Sequence, residues 1–279
     1  MIGNETTDGL GVRWRVLHGS LVPFSFPHKL GGISESDAKR LVRTSGARLI
    51  RWESAFDIPE PTEWWHVIKD VQEDISELKQ KVRYAVRQGG ENFVIRRCGR
   101  EEILLHGYPV YVSAFERYQT FEKCMSSVEF YQAIAKMPDE VEFWIVEDRK
   151  DGGMRAFAEN IVMDDCCFYS SMWFTAEALK RSGAYALVHA MNSHYLNERG
   201  FRYVSDGARN ISHQTKIHEF LQGKFRFRKA YCRLKVEYCW WVSVAVLVSY
   251  PFRVPLKLIR LSARLDVLLE QERIRRACI

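Results

Sequence analysis

The sequence has no C-x-x-C pair, and its seven cysteines are an odd number, so neither a disulfide framework nor a thiolate zinc site is expected. No H-E-x-x-H, Walker loop, G-x-G-x-x-G or G-x-S-x-G string occurs. Zinc proteases, P-loop enzymes, dinucleotide-binding Rossmann units and α/β-hydrolases therefore lose their sequence signatures. His189 with His194, and His213 with His218, stand five residues apart, which turns each pair about 140° away from one helix face. No metal is expected. The longest charge-free stretch, Tyr238 to Phe252, falls short of the roughly 18 residues that span a bilayer. The first residues carry no apolar run behind a basic start, so cytoplasmic residence is the expectation.

What is present is an ordinary globular composition, 47% hydrophobic and 27% charged over 279 residues, enough for one large or two compact domains. The formal charge of +6 favours anionic partners, and residues 251–279 hold seven Lys or Arg against three acids. The positive excess is therefore concentrated at one end.

In the first part of the chain, Ser36 to Thr44 reads as a capped helix, and Arg48 to Glu53 and Trp64 to Lys69 read as strands. From Asp74 a helical pattern runs to Gly89-Gly90, followed by a strand from Asn92 to Arg97. After a helix ending near Met137-Pro138, strands Val141 to Glu147 and Met154 to Met163 flank the turn string RKDGG. The pattern continues with a strand from Cys166 to Phe174, a helix from Ser182 to Glu198 and a strand from Phe201 to Ser205. It closes with a helix from Ile211 to Gln222 and a long strand from Ala230 to about Val248.

The order β-β-β-α-β-α-β resembles the core of the acyl-CoA N-acyltransferase (GNAT) superfamily. Two segments are similar to its FemAB-like members: SELKQKVRYAVRQG at Ser76 to Gly89, and VSDGARNISHQTKIHEFLQGKFRFRKAYCRLKVEY at Val204 to Tyr238. The resemblance implies an α/β fold, a GNAT-like mixed open sheet flanked by helices, with an incomplete second GNAT-like lobe at the N-terminal side. The expected division is 1–110 for an N-terminal lobe on the substrate side, 111–250 for the acyl-donor domain and 251–279 for a basic C-terminal helix.

A GNAT-like fold implies an acyl-CoA or acyl carrier protein donor gripped between two splayed strands, here Cys166 to Phe174 and Phe201 to Ser205. Amides at the start of the next helix would receive a diphosphate, which points to Lys180, Arg181, Ser182, Gly183 and Ala184. This stretch departs from the family's loop, with Lys180 first and the bulky Tyr185 last. That crowding leaves acyl carrier protein, or aminoacyl-tRNA as the alternative donor.

Direct transfer to an amine needs a base, an oxyanion site and an acid for the leaving group. Glu159, among small and apolar neighbours on a central strand, is one candidate base, against the plainer reading of a solvent-facing strand residue. Asp206, at the carboxyl end of a strand, and His213 in the turn that follows are others, against an Asx turn and a surface histidine. Where superfamily members often carry a tyrosine acid, Phe220-Leu221 stand instead, and Tyr231 is the nearest substitute. Arg83, Arg87 and Arg209 are candidate substrate contacts, the first two on a basic helix stripe that is also what a solvated face looks like. Trp64-Trp65 and Trp240-Trp241 are each expected to face opposite sides of a strand.

Past Pro251, Arg253, Lys257, Arg260 and Arg264 form a basic stripe beside Val254, Leu258, Leu261, Leu265 and Leu268. Such a helix fits an anionic membrane surface, the protein's own sheet or a dimer partner. The expected activity is acyl transfer to a primary amine of a small molecule or cell-envelope precursor. An aminoacyl-tRNA-dependent transferase, or a catalytically silent membrane-peripheral protein on this fold, are the alternatives.

Overall fold

The computed structural model describes residues 6–17, 19–117, 123–211, 216–259 and 263–278. The chain forms two compact units that are interleaved in sequence. One comprises Ile68–Gly207 and Ile217–Arg228, and the other Gly3–Val67, Ala208–Lys216 and Lys229–Ile279.

The second of these units is built on strands β1 (Thr6–Gly9), β2 (Val12–Leu17), β3 (Ser20–Pro23), β4 (Leu49–Ile58), β5 (Trp64–Lys69) and the late strand β11 (Arg228–Tyr238). They lie in the order β1-β2-β3-β4-β11-β5. Strands β3 and β4 are parallel, and β4 pairs antiparallel with β11 from Leu49↔Tyr238 to Ile58↔Tyr231. Helix α1 (Glu35–Ser45) starts where the Ser34 hydroxyl accepts from the Asp37 amide at 3.1 Å and stops at Gly46, whose φ of +69° suits a residue without Cβ. Its buried Ala38 and Val42 pack on Trp14, Leu21, Ile50 and Trp52.

Three helices complete this unit: α8 (Trp240–Ser249), α9 (Arg253–Ile259) and α10 (Ala263–Ala277). The extension of the last strand toward Val248 is thus corrected. The strand stops at Tyr238, Cys239 caps a helix, and Trp240 and Trp241 both lie exposed on that helix instead of on two faces of a strand. A run that is apolar at nearly every position carries neither a strand nor a helix period, so its composition left the element type open. The Trp64-Trp65 pair behaves as a strand pair should: Trp64 is in the core and Trp65 is only half-buried. In the tail, Ile274 and Cys278 of the α10 segment are buried against Leu49, Trp64, Leu234 and Val236. This part docks on the protein's own sheet.

The other unit holds β6 (Phe93–Cys98), β7 (Val141–Asp148), β8 (Met154–Met163), β9 (Cys166–Phe174) and β10 (Tyr203–Ala208), ordered β10-β9-β8-β7-β6. All neighbours are antiparallel except β9 and β10, so the sheet is mixed and open. Around it lie α2 (Gln80–Asn92), α3 (Arg100–Phe115), α4 (Ser127–Ala135), the short α5 (Ala176–Lys180), α6 (Gly183–Asn192), which continues as a π turn over Ser193–Glu198, and α7 (Lys216–Phe225). Helices α3 and α4 cover one face, where Phe130 meets Phe157 and Tyr111 meets Trp173. Helix α6 covers the other, where Asn160 donates to the Tyr195 hydroxyl at 3.3 Å. The Asp74–Gly89 helix expected from the sequence begins instead as a 3-10 turn at Ile75–Glu77, capped by Asp74, before α2 proper.

Candidate active site

Strands β9 and β10 are parallel neighbours only over Tyr203↔Cys166 to Ser205↔Phe168. Beyond Phe168, β9 runs on to Phe174 along β8, and β10 runs on to Ala208 with no further β9 partner among the described residues. Just past the parting, the β8–β9 register jumps from Glu159↔Ser171 to Asn160↔Tyr169, so Ser170 is an extra, bulged residue. A bulge re-aims local backbone groups, and two parted strands leave amides and carbonyls to grip an extended ligand arm.

Asp206 lies on β10 at this parting, and α7 brings His218 to it. Nε2 of His218 is 3.2 Å from Oδ2 of Asp206, and both side chains are largely covered. Burial pushes the Asp206 carboxyl above the usual carboxylate range, an effect that its hydrogen bond and charge contact with His218 only partly offset. Burial alone would lower the His218 imidazole, but the hydrogen bond and charge of Asp206 outweigh it and raise it. Gly207, at φ +85°, lets the chain turn beside the Phe168 ring, where a Cβ would come within 2.8 Å. His218 was not singled out from the sequence. Its only signal there is a position early in a helix after a strand-ending Asp-Gly, and the pairing depends on how the intervening segment folds.

The face that carries Asp206 also holds a buried polar network. The Tyr169 hydroxyl donates to Asn192 Oδ1 at 2.8 Å, and Asn192 Nδ2 donates to Glu73 Oε2 at 3.3 Å. Glu73 Oε1 lies 3.1 Å from His189 Nδ1, and its Oε2 lies 3.1 Å from Lys69 Nζ. Lys69 and Glu73 are fully buried, but each has polar partners on several sides, so the cluster braces α6 under the sheet.

Glu159 is also buried, on the opposite face with Phe157 and Trp173. Burial raises its carboxyl, and its Oε2 has no hydrogen-bond partner among the described residues. The structure does not bring Glu159 and Asp206 together, because register places Asp206 on the Tyr169 side and Glu159 on the Ser171 side of the sheet. His213 lies outside the described residues.

Arg181 is fully engaged at the α5–α6 junction. Its guanidinium pairs with Asp148 at 2.5 Å and Glu177 at 2.8 Å and stacks over Phe93. Ser182 has φ +67° and donates to Gln88 Oε1 at 2.8 Å. A Cβ on Gly89 of α2 would sit 2.5 Å from the Ser182 carbonyl oxygen, so α2 presses directly on the first turn of α6. Ser182 and Gly183 are buried, Ala184 is half-buried and Lys180 is exposed. On α2, Arg83 donates to the carbonyls of Ser76 and Leu78, and Arg87 is exposed.

Within the other unit, Arg209 and Tyr231 meet around Trp65. The Arg209 guanidinium is 4.8 Å and the Lys229 ammonium 4.0 Å from the ring centre, with Tyr231 edge-on at 6.5 Å. Arg209 also pairs with Glu63 at 2.7 Å.

Cys98, Cys166, Cys167 and Cys232 carry no activated thiolate signature. Burial pushes the Cys98 and Cys166 thiols up to about 12, and Cys167 is raised as well.

No protein-family model and no curated protein sequence matches the chain. Among solved structures, it is similar to the C-terminal DUF2156 domain of a putative lysylphosphatidylglycerol synthetase from Agrobacterium fabrum, with 15% identity, 87% of each chain covered and a TM-score of 0.54. It also aligns with L-PGS from Bacillus licheniformis at 11% identity over 82% of each chain, TM-score 0.49. FemX aligns at 10% identity over 70% of this chain and 74% of its own, TM-score 0.46. At such identities the likeness is one of fold: this chain has the mixed α/β open sheet flanked by helices, the GNAT-like fold class that its element order suggested.

Proposed function

We propose that this protein is an acyltransferase that moves an acyl group from an activated carrier to a primary amine of a small molecule or envelope precursor. The observation that carries this reading is the parting of β9 and β10 beside the Asp206–His218 pair. The acyl-bearing arm lies along the freed edge of β9, with the bulge at Ser170 re-aiming backbone groups toward the carbonyl oxygen. His218, oriented by Asp206 through Nε2, takes the ammonium proton at its other ring nitrogen. The amine then attacks the acyl carbon, and as the tetrahedral intermediate collapses the carrier's sulfur or oxygen leaves and takes up the amine's second proton. No covalent cysteine step is needed, in keeping with the raised thiols. A cytoplasmic setting, in which free cysteines stay reduced, belongs to the same proposal.

Acyl-CoA, acyl carrier protein and aminoacyl-tRNA all fit this chemistry. The covered first turn of α6, with Arg181 neutralised by two carboxylates, favours the latter two, which need no diphosphate cradle there. Thermal-shift screening against CoA, acyl-CoAs, acyl carrier protein and charged tRNA tests the donor, and ribonuclease sensitivity separates tRNA from the thioesters. Absence of binding by all four ends the transferase reading. With a working donor, His218→Gln is expected to lower turnover about 10²–10⁴-fold.

A further inference from the structure

Among the described residues, the densest run of exposed large apolar side chains lies on one segment. Trp240, Trp241, Val244, Leu247 and Val248 of α8, with Phe252 just beyond, are all exposed, Trp240 at 79% and Leu247 at 68%. Helix α8 buries only Val242 and Val246, one turn apart, so a narrow stripe holds it to its unit and the rest of its circumference faces outward. Patches of this kind on a folded chain mark an interaction surface.

Length and charge identify the occupant. Ten residues of helix reach about 15 Å, roughly half the hydrocarbon thickness of a bilayer, so α8 can enter one leaflet but cannot cross. Among the described residues, no helix is long and apolar enough to cross a membrane. Between Cys239 and Leu265 the sequence has four basic residues and no acid. At the end of α8 the Tyr250 ring lies between the guanidiniums of Arg253 and Arg276, at 4.6 and 3.9 Å, although Arg276 also pairs with Glu272. Apolar side chains ending in tyrosine and arginine match the acyl-to-headgroup boundary of an anionic lipid surface. A second copy fits less well, because a two-fold contact sets the same basic segment against itself.

We propose that α8 and the turn after it lie in one leaflet of an anionic phospholipid bilayer and hold the protein at the membrane surface. This inference does not depend on the catalytic reading. The test is sedimentation of the full chain with vesicles of phosphatidylcholine alone and with about 30 mol % phosphatidylglycerol added. Binding is expected only to the anionic vesicles, weakening as salt rises from about 0.1 to 0.5 M. The exposed-site double variant Trp240→Glu, Leu247→Glu is expected to reduce it about tenfold or more. No binding, or binding unchanged in a folded double variant, overturns the proposal. So does a wild-type dimer, dissociated by the variant, that ignores vesicles. Brominated lipids give a readout on the unmodified chain: tryptophan emission must be quenched, and unquenched emission from sedimented protein also overturns the proposal.

Discussion

Asp206 and His218 show how two side chains set each other's protonation. A histidine buried without a partner would be harder to protonate, and the adjacent carboxylate reverses that sign. The His218 midpoint, followed by NMR of the imidazole C–H, is expected above the ordinary value of about 6.5. In Asp206→Asn, where the carboxylate's hydrogen bond and charge are lost, it is expected lower than in the unmodified chain. Because folding raises this imidazole, its contribution to stability is complete below about pH 6.5 and is lost as pH rises through the raised midpoint. Asp206→Asn should therefore flatten that part of the stability profile. Asp206 could be singled out in the sequence because a strand followed by Asp-Gly marks a strand's carboxyl end. Its partner could not, since no local periodicity links a helix residue to a strand residue across a turn.

Among elements, the central hairpin was legible because the turn string between Asp148 and Met154 is polar and glycine-rich while both flanks are β-formers. The segment from Cys239 to Ser249 was not, because it is apolar at nearly every position and its outer face is neither core nor polar. The close approach of α2 to α6 was invisible for a different reason: a glycine read as a helix stop is in fact a contact point inside the helix. Gly89→Ala gains about 1 kcal/mol of helix propensity. It also drives a methyl to 2.5 Å from the Ser182 carbonyl and 2.7 Å from the Ala186 Cβ. Overpacking of that order costs up to about 3 kcal/mol, so a net loss of about 1–2 kcal/mol is expected in urea unfolding.

For the whole molecule, interleaving of the two units matters more than their sizes. The N-terminal strands share a sheet with β11, and their core is closed by α10. A fragment of residues 1–110 lacks both and leaves β4 with an open edge. It is expected to give collapsed amide NMR dispersion, whereas the full chain gives the dispersed spectrum of a folded protein. The net charge of +6 likewise belongs mostly to one end, with +4 in residues 251–279. Glu270 and Glu272, already subtracted in that figure, pair with Arg273, Arg275 and Arg276. What remains for an outside partner is the acid-free stretch beside α8.

The pairing of Leu49 with Tyr238 sets an order of events during synthesis. At ribosomal rates of about 5–20 residues per second, β4 emerges on the order of ten to forty seconds before the strand that completes its edge. Through that interval the first strands must stay soluble without their partner. The apolar helix α8 follows β11 directly, so its large exposed side chains are made only after the strand that completes the β4 edge.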